Sequence, residues 1–287
     1  MFSSLLLRPF KQTAKSSAQI LSKRFYTADR LKGKNVFITG ASSGIGLATA
    51  HEFAKAGSNL ILTARRVNRL DELKKELQQR YSGIQVHTVG LDMRDKSSID
   101  KAVSSLPGDF KRVDILVNNA GLVLGMDPLE KVTEEAYTTM FDTNVKGLVF
   151  LTQAILPGMR ERNQGHIVQL GSVAGKEAYP GGSIYCGTKH AVEAITRSLL
   201  FELMDTPIRV SQICPGMVET EFSKVRFGGD AEKADDVYKG MTPLVGQDIA
   251  ELIVFTTSRP AHVNICDMLV FPTAQASARM VHRKNVD

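Results

Sequence analysis

From Leu31 onward, short apolar runs alternate with longer stretches in which apolar positions recur every three or four residues. Val36-Phe37-Ile38-Thr39 predicts a strand and Gly44 to Ala56 a helix. Leu60-Ile61-Leu62-Thr63 predicts the next strand, the spacing of Leu70, Leu73 and Leu77 a second helix, and Val86 to Leu91 a third strand. Ile115-Leu116-Val117, His166 to Leu170, Ile208 to Ile213 and Asp267 to Phe271 read as further strands. Thr133–Arg162, Tyr185–Leu203 and Gln247–Thr257 read as long helices. Strands that alternate with helices imply the α/β class, here one doubly wound parallel sheet with helices on both faces. A single domain over 31–287 is expected, with no internal repeat or linker to a second one. Phe222 to Lys239, with paired glycines and many charges, is expected to be a mobile segment and a lid.

Charge changes the picture at the N-terminus. The 287 residues carry 36 Lys and Arg against 30 Asp and Glu. Six of those bases and one of those acids fall in residues 1–30, leaving 30 against 29 elsewhere. The body is therefore nearly neutral, and no nucleic-acid surface is indicated. Residues 1–28 are Ser-rich and basic, without an acid, and Phe10, Ala14, Ala18, Leu21 and Phe25 would share one helical face. That composition predicts a mitochondrial targeting leader, against the plainer reading of a basic tail with no address. No apolar run is long enough to predict a membrane span. Cys186, Cys214 and Cys266 form no CxxC pair and read as reduced thiols, and the six histidines show no metal-binding spacing.

Candidate chemistry sits after the strands. Gly40-Ala41-Ser42-Ser43-Gly44-Ile45-Gly46 follows the first strand and opens the first helix. Its glycines permit a tight turn and a close approach to a pyrophosphate, and the helix N-terminus offers free N–H groups, as in a Rossmann dinucleotide site. An NAD site wants an acid about 20 residues further on, to bind the ribose 2′-hydroxyl. Here the second strand ends Ala64-Arg65-Arg66, without one. Two guanidiniums suit the 2′-phosphate of NADP, the alternative being a solvated basic pair. Cations at a helix start also need compensation, because the peptide dipoles there disfavour them.

Ser172 follows the strand His166–Leu170, and Tyr185 and Lys189 are four apart on one helical face. A phenol with a pKa near 10 can exchange a proton near neutrality if an ammonium stabilises its phenolate. Asn118-Asn119-Ala120-Gly121, Asn144 and Pro215-Gly216-Met217-Val218-Glu219-Thr220 complete the set. In this order, over residues 32–272, the motifs resemble the short-chain dehydrogenase/reductase family. The resemblance implies Tyr185 as general acid/base, Ser172 positioning the reacting oxygen, and Lys189 lowering the Tyr pKa and holding the nicotinamide ribose. It implies Asn144 holding a relay water, and cofactor contacts from Ile45, Asp92, Asn119, Val218 and Thr220. Asn119 could equally tie strands together.

Within the family, Ala64-Arg65-Arg66, Ala178 to Tyr185, Val218 to Ser223 and Asp267 to Ser277 resemble the NADP-dependent 3-hydroxy acid dehydrogenases. These oxidise L-serine, L-allo-threonine and similar acids, and the resemblance implies a homotetramer. The leader departs from the pattern. A reductase of acyl-carrier 3-oxo thioesters would want a basic docking surface, and a silent NADP-binding protein would be expected to lose Ser172, Tyr185 or Lys189. A carboxylate two carbons from the reacting hydroxyl needs a cation. Arg226, in the expected lid, is a candidate, with a solvated surface charge as the alternative.

Overall fold

A computed structural model of the chain describes residues 28–284; the expected leader, apart from Ala28, lies outside them. Seven parallel strands form the sheet. In chain order they are β1 (Asn35–Thr39), β2 (Asn59–Ala64), β3 (Val86–Gly90), β4 (Ile115–Asn118), β5 (His166–Leu170), β6 (Arg209–Pro215) and β9 (Asp267–Val270). Their spatial order is β3-β2-β1-β4-β5-β6-β9. Successive strand residues point to opposite faces, so each apolar run supplies both layers. Val36 and Ile38 pack on one side with Leu60, Leu62, Ile115 and Val117. Phe37, Ile61, Leu116 and Ile167 pack on the other.

Helices α1 (Gly44–Lys55), α2 (Val67–Arg80) and α9 (Gly246–Thr257) cover the first face. Helices α3 (Lys96–Ser104), α5 (Gly147–Glu161) and α6 (Ser183–Glu202) cover the second. Leu70, Leu73 and Leu77 are buried, as their spacing predicts. Helix α3 is an addition to the predicted set, and Asp95 caps it by accepting from the Ser97 N–H at 2.9 Å.

One expectation is corrected. The long helix over Thr133–Arg162 is two helices, α4 (Glu134–Phe141) and α5, joined by a π-helical turn at Asp142–Lys146. A Cβ on Gly147 would lie 2.3 Å from the Met93 carbonyl, so the backbone is pressed close to the loop after β3. Within Phe222 to Lys239, the expected mobile segment, the chain forms two short helices, α7 (Glu221–Arg226) and α8 (Ala231–Asp236). Gly228 and Gly229 (φ +63° and +97°) make the turn between them, in backbone conformations that favour glycine. The Tyr238 hydroxyl ties the pair down, bonding Ser223 Oγ at 2.5 Å and the Val218 carbonyl at 2.8 Å. Val218–Glu219 (β7) and Leu244–Val245 (β8) pair as a separate two-stranded parallel ribbon.

The sheet buries an imidazole. His166 faces Ser211 Oγ across β5 and β6 at 2.8 Å, and burial, reinforced by Arg209, holds its pKa well below the usual histidine value. Burial also leads the lowering at His51 and His87. The unfolded chain binds these protons first as pH falls, so the stability contributed by the neutral forms is complete above about 6.5 and is lost below it. Urea midpoints should therefore decline between pH 7 and 5, and less steeply in His166→Gln. Parallel slopes for the two proteins would refute the contribution of His166.

Candidate active site

Every strand of the main sheet runs the same way, so the loops after their C-terminal ends converge on one edge. Above β1 and β4, where the order of strand addition reverses, the loops enclose a cavity of about 1130 Å³. The cofactor-type and the catalytic-type residues share this cavity.

At one end lies the glycine turn. A Cβ on Gly46 would come within 2.3 Å of the Gly40 carbonyl and 2.6 Å of Asn119 Nδ2, so only glycine lets α1 start here. Asn119 braces the turn from below: its Nδ2 donates to the Thr39 carbonyl at 2.7 Å, and its N–H to Thr39 Oγ1 at 2.9 Å. Asn119 therefore ties β1 to β4 while also lining the cavity. Ser43 begins α1 without a side-chain cap and the first turn holds no acid, so no side chain compensates this helix start, where Gly44 and Ile45 line the cavity. Gly40, Ser42, Asp92, Val218 and Thr220 line the same end. Thr220 also caps α7. Asp92 is held by Arg94 at 2.7 Å, and that hydrogen bond leads the lowering of its pKa.

Arg65 and Arg66 both reach the rim. Arg66 donates to Ser42 Oγ (3.0 and 3.2 Å), Ser43 Oγ (2.8 Å) and Glu221 Oε2 (2.9 Å). Glu221 supplies the compensation that a cation at the start of α2 requires. This donor set, with the open start of α1, fits a phosphorylated dinucleotide.

At the other end Ser172, Tyr185 and Lys189 line the cavity together, all buried. Ser172 Oγ accepts the Ala174 N–H at 3.1 Å, which fixes its rotamer. Lys189 Nζ donates to the Leu170 carbonyl at 2.7 Å and lies 5.9 Å from the Tyr185 ring centre. Burial lowers its pKa to about 8. Burial also raises that of Tyr185, assisted by the nearby Tyr179, while the Ser172 hydrogen bond and Arg226 oppose the rise. The expected lowering of the phenol by Lys189 is thus not the dominant effect in this arrangement. Asn144 sits in the π turn, but its amide is committed. Nδ2 donates to the Leu122 carbonyl (2.8 Å) and Thr188 Oγ1 (3.1 Å), and Oδ1 accepts the Leu122 N–H (2.8 Å). These bonds anchor the loop after β4 to α6.

Arg226 closes the cavity beside Tyr185. It hydrogen-bonds the Tyr179 hydroxyl, lies over the Tyr179 ring, and has a buried Nε without an acceptor among the described residues. The reading of Arg226 as a solvated surface charge is therefore excluded. Tyr179, Lys233, Arg279 and Arg283 also line the cavity, and sequence reasoning did not assign them. With Arg65, Arg66, Lys189 and Arg226 they face the acids Asp92, Glu221 and Asp236 only, so the cavity favours anions although the body is nearly neutral. Among the described residues, one grouping of metal-ligating type, Glu193, Cys214 and Asp267, lies outside the cavity lining. The Lys176 ammonium bonds both of its carboxylates.

The chain belongs to the short chain dehydrogenase family, whose model matches residues 34–229. It is 48% identical, over 89% of its length and 98% of the relative's, to the NADP-dependent 3-hydroxy acid dehydrogenase of Schizosaccharomyces pombe. It is 49% identical, over 84% of its length and 95% of the relative's, to sulfoacetaldehyde reductase 2 of Chromohalobacter salexigens. Among solved structures it is similar to the closed form of a serine dehydrogenase complexed with NADP+. That likeness has a TM-score of 0.81 and 43% identity, and covers 87% of this chain and all of the other.

The glycine turn generates a direct expectation. Gly46→Ala should lower stability by about 1–3 kcal/mol, the usual range for forcing a methyl into a packed site. It should also weaken dinucleotide binding at least about tenfold, since a Rossmann-type glycine turn is where a pyrophosphate would be held. Urea unfolding and calorimetric titration read the two effects; an unchanged midpoint would mean that the close approach to Gly40 is not a constraint.

Proposed function

We propose that the chain is an NADP-dependent oxidoreductase that interconverts 3-hydroxy acids, such as L-serine and L-allo-threonine, with the corresponding 3-oxo acids. NADP, when bound, supplies or accepts the hydride. Ser42, Arg65 and Arg66 would hold its 2′-phosphate, and the uncapped start of α1 its pyrophosphate.

The protein's part is positional and acid–base. Ser172 holds the reacting oxygen. Tyr185 Oη gives that oxygen a proton in reduction and takes one in oxidation. Burial keeps the phenol protonated in the free site, which suits it to act first as an acid. The Lys189 ammonium, with a pKa near 8, is still mostly charged at neutral pH and stabilises the phenolate that proton transfer leaves. Phe222 and Val225 of α7 and Leu122 of the loop after β4 supply apolar lining beside these groups.

The observation that carries the acid-specific part is Arg226, half-buried against Tyr179 at the Tyr185 end of the cavity, with Nε unpartnered among the described residues. A guanidinium there can hold a carboxylate while Ser172 and Tyr185 hold the hydroxyl. The name of the C. salexigens relative supports a wider anion class. In sulfoacetaldehyde, as in a 3-oxo acid, one carbon separates the anionic group from the reacting carbonyl. Sulfonated aldehydes are thus the second substrate class for this site.

Support for a homotetramer comes from the family resemblance and from the exposure of Phe201 and Met204 at the end of α6; light scattering of the purified chain tests it. Support for a mitochondrial compartment is the composition of residues 1–28, and the N-terminus of the protein isolated from cells tests it.

The function is tested by NADP+ reduction with L-serine, L-allo-threonine and 3-hydroxybutyrate against matched uncharged alcohols. The acids should be preferred; equal rates for the alcohols would overturn the substrate class. Tyr185→Phe should lower kcat by about 10²- to 10⁴-fold while leaving NADP+ affinity intact. Arg226→Ala should raise KM for the acids about tenfold or more, the worth of one charge-assisted contact, with little change for the alcohols. An unaltered acid preference would remove Arg226 from its role.

A further inference from the structure

Arg66 is assigned above to the 2′-phosphate, yet in this structure its guanidinium is engaged by an anion of the chain itself. Nη1 donates to Glu221 Oε2 at 2.9 Å, while the other Glu221 oxygen accepts from Arg69 Nη1 at 2.7 Å. Arg66 and Arg69 are three residues apart at the start of α2, close enough for one carboxylate to bridge them. Glu221 opens α7, more than 150 residues further along the chain, and lines the same cavity end as Arg65 and Arg66. The two guanidiniums hold its carboxyl at about 2, so it is ionised throughout the working range. Arg66 meanwhile keeps Nε and Nη2 on the Ser42 and Ser43 hydroxyls at the glycine turn. Among the described residues, its only anionic partner is therefore Glu221.

A phosphate that binds Arg66 must compete with this carboxylate for the same N–H donors, and two anions at one guanidinium repel. A cofactor without the 2′-phosphate makes no such demand. We propose that Glu221 is a specificity-determining residue, an internal stand-in that occupies Arg66 in the free enzyme and is displaced by a 2′-phosphorylated cofactor but not by an unphosphorylated one. Displacement favours the phosphate because it brings more charge and more acceptor oxygens than a carboxylate, and because Arg65 adds a second cation. Glu221 retains Arg69 when it yields Arg66, so its charge stays paired. The contact lowers the affinity for the phosphorylated cofactor while keeping Arg66 in place at the turn. The position of Glu221 on α7 also puts this exchange on the helix that ends in Arg226, the residue assigned to the substrate anion.

The inference rests on the NADP reading, and one set of titrations separates the two. The full-length protein and Glu221→Gln are titrated calorimetrically with NADP+ and with NAD+. Glu221 is exposed on its outer side, and NAD+ binding serves as the check that the variant is folded. The expected result is NADP+ bound about three- to fivefold more tightly by Glu221→Gln, the upper range of one exposed ion pair, with NAD+ affinity changed less than about twofold. Unchanged or weaker NADP+ binding, or an equal shift for both cofactors, would overturn the role of Glu221 and leave the cofactor reading standing. A wild-type protein that binds NAD+ as tightly as NADP+ would overturn both.

Discussion

Asn119 lies where β1 and β4 part company, and the site is built on the space its amide fills. Its Nδ2 holds the Thr39 carbonyl, and the Asn119 and Ala120 N–H groups share the Thr39 hydroxyl at 2.9 and 2.8 Å. Gly40 and Gly46 must lack a Cβ because the same amide stands beneath them. The consequence is a crevice with a rigid floor. The loops on the β2 side of the reversal bring arginines to it, and those on the β5 side bring Ser172, Tyr185 and Lys189.

Burial governs the electrostatics of the catalytic end. It raises the Tyr185 phenol and lowers the Lys189 ammonium, both in the direction that removes charge from a dry pocket. The free site therefore rests with a protonated phenol beside an ammonium of reduced basicity. Charge arrives with the ligands, and the cavity holds a surplus of cations to receive them. Arg66 and Arg226 already have partners, Glu221 and Tyr179, that keep them in position. Preorganisation of this kind limits the reordering that ligand binding would otherwise require.

Much of this was legible in the chain because the period of the apolar positions carries it. Strands such as Val36 to Thr39 and the helix marked by Leu70, Leu73 and Leu77 follow from local pattern alone. Ser172, Tyr185 and Lys189 were legible as a spaced set, since each follows a recognisable strand or helix start. The π turn around Asn144 was not, because its cause is tertiary: the amide clamps Leu122, which lies 22 residues earlier. Two-residue strands such as Val218–Glu219 are too short to show a period. Helix α3 carries a local signal, the cap Asp95 ahead of Ile99 and Ala102, but its apolar face is only two residues long. The pairing of Glu221 with Arg66 joins residues 155 apart, and only the fold brings them together.

The central claim is that hydride passes between the nicotinamide of NADP and the third carbon of an anionic substrate held at Ser172 and Tyr185. NADPH dideuterated at nicotinamide C4, incubated with the full chain and 3-oxobutyrate, follows that transfer directly. The account predicts 3-hydroxybutyrate with one deuterium on C3, formed in equal amount to the NADP+ released. Product without deuterium at C3, or NADPH left unconsumed by folded protein, would contradict it.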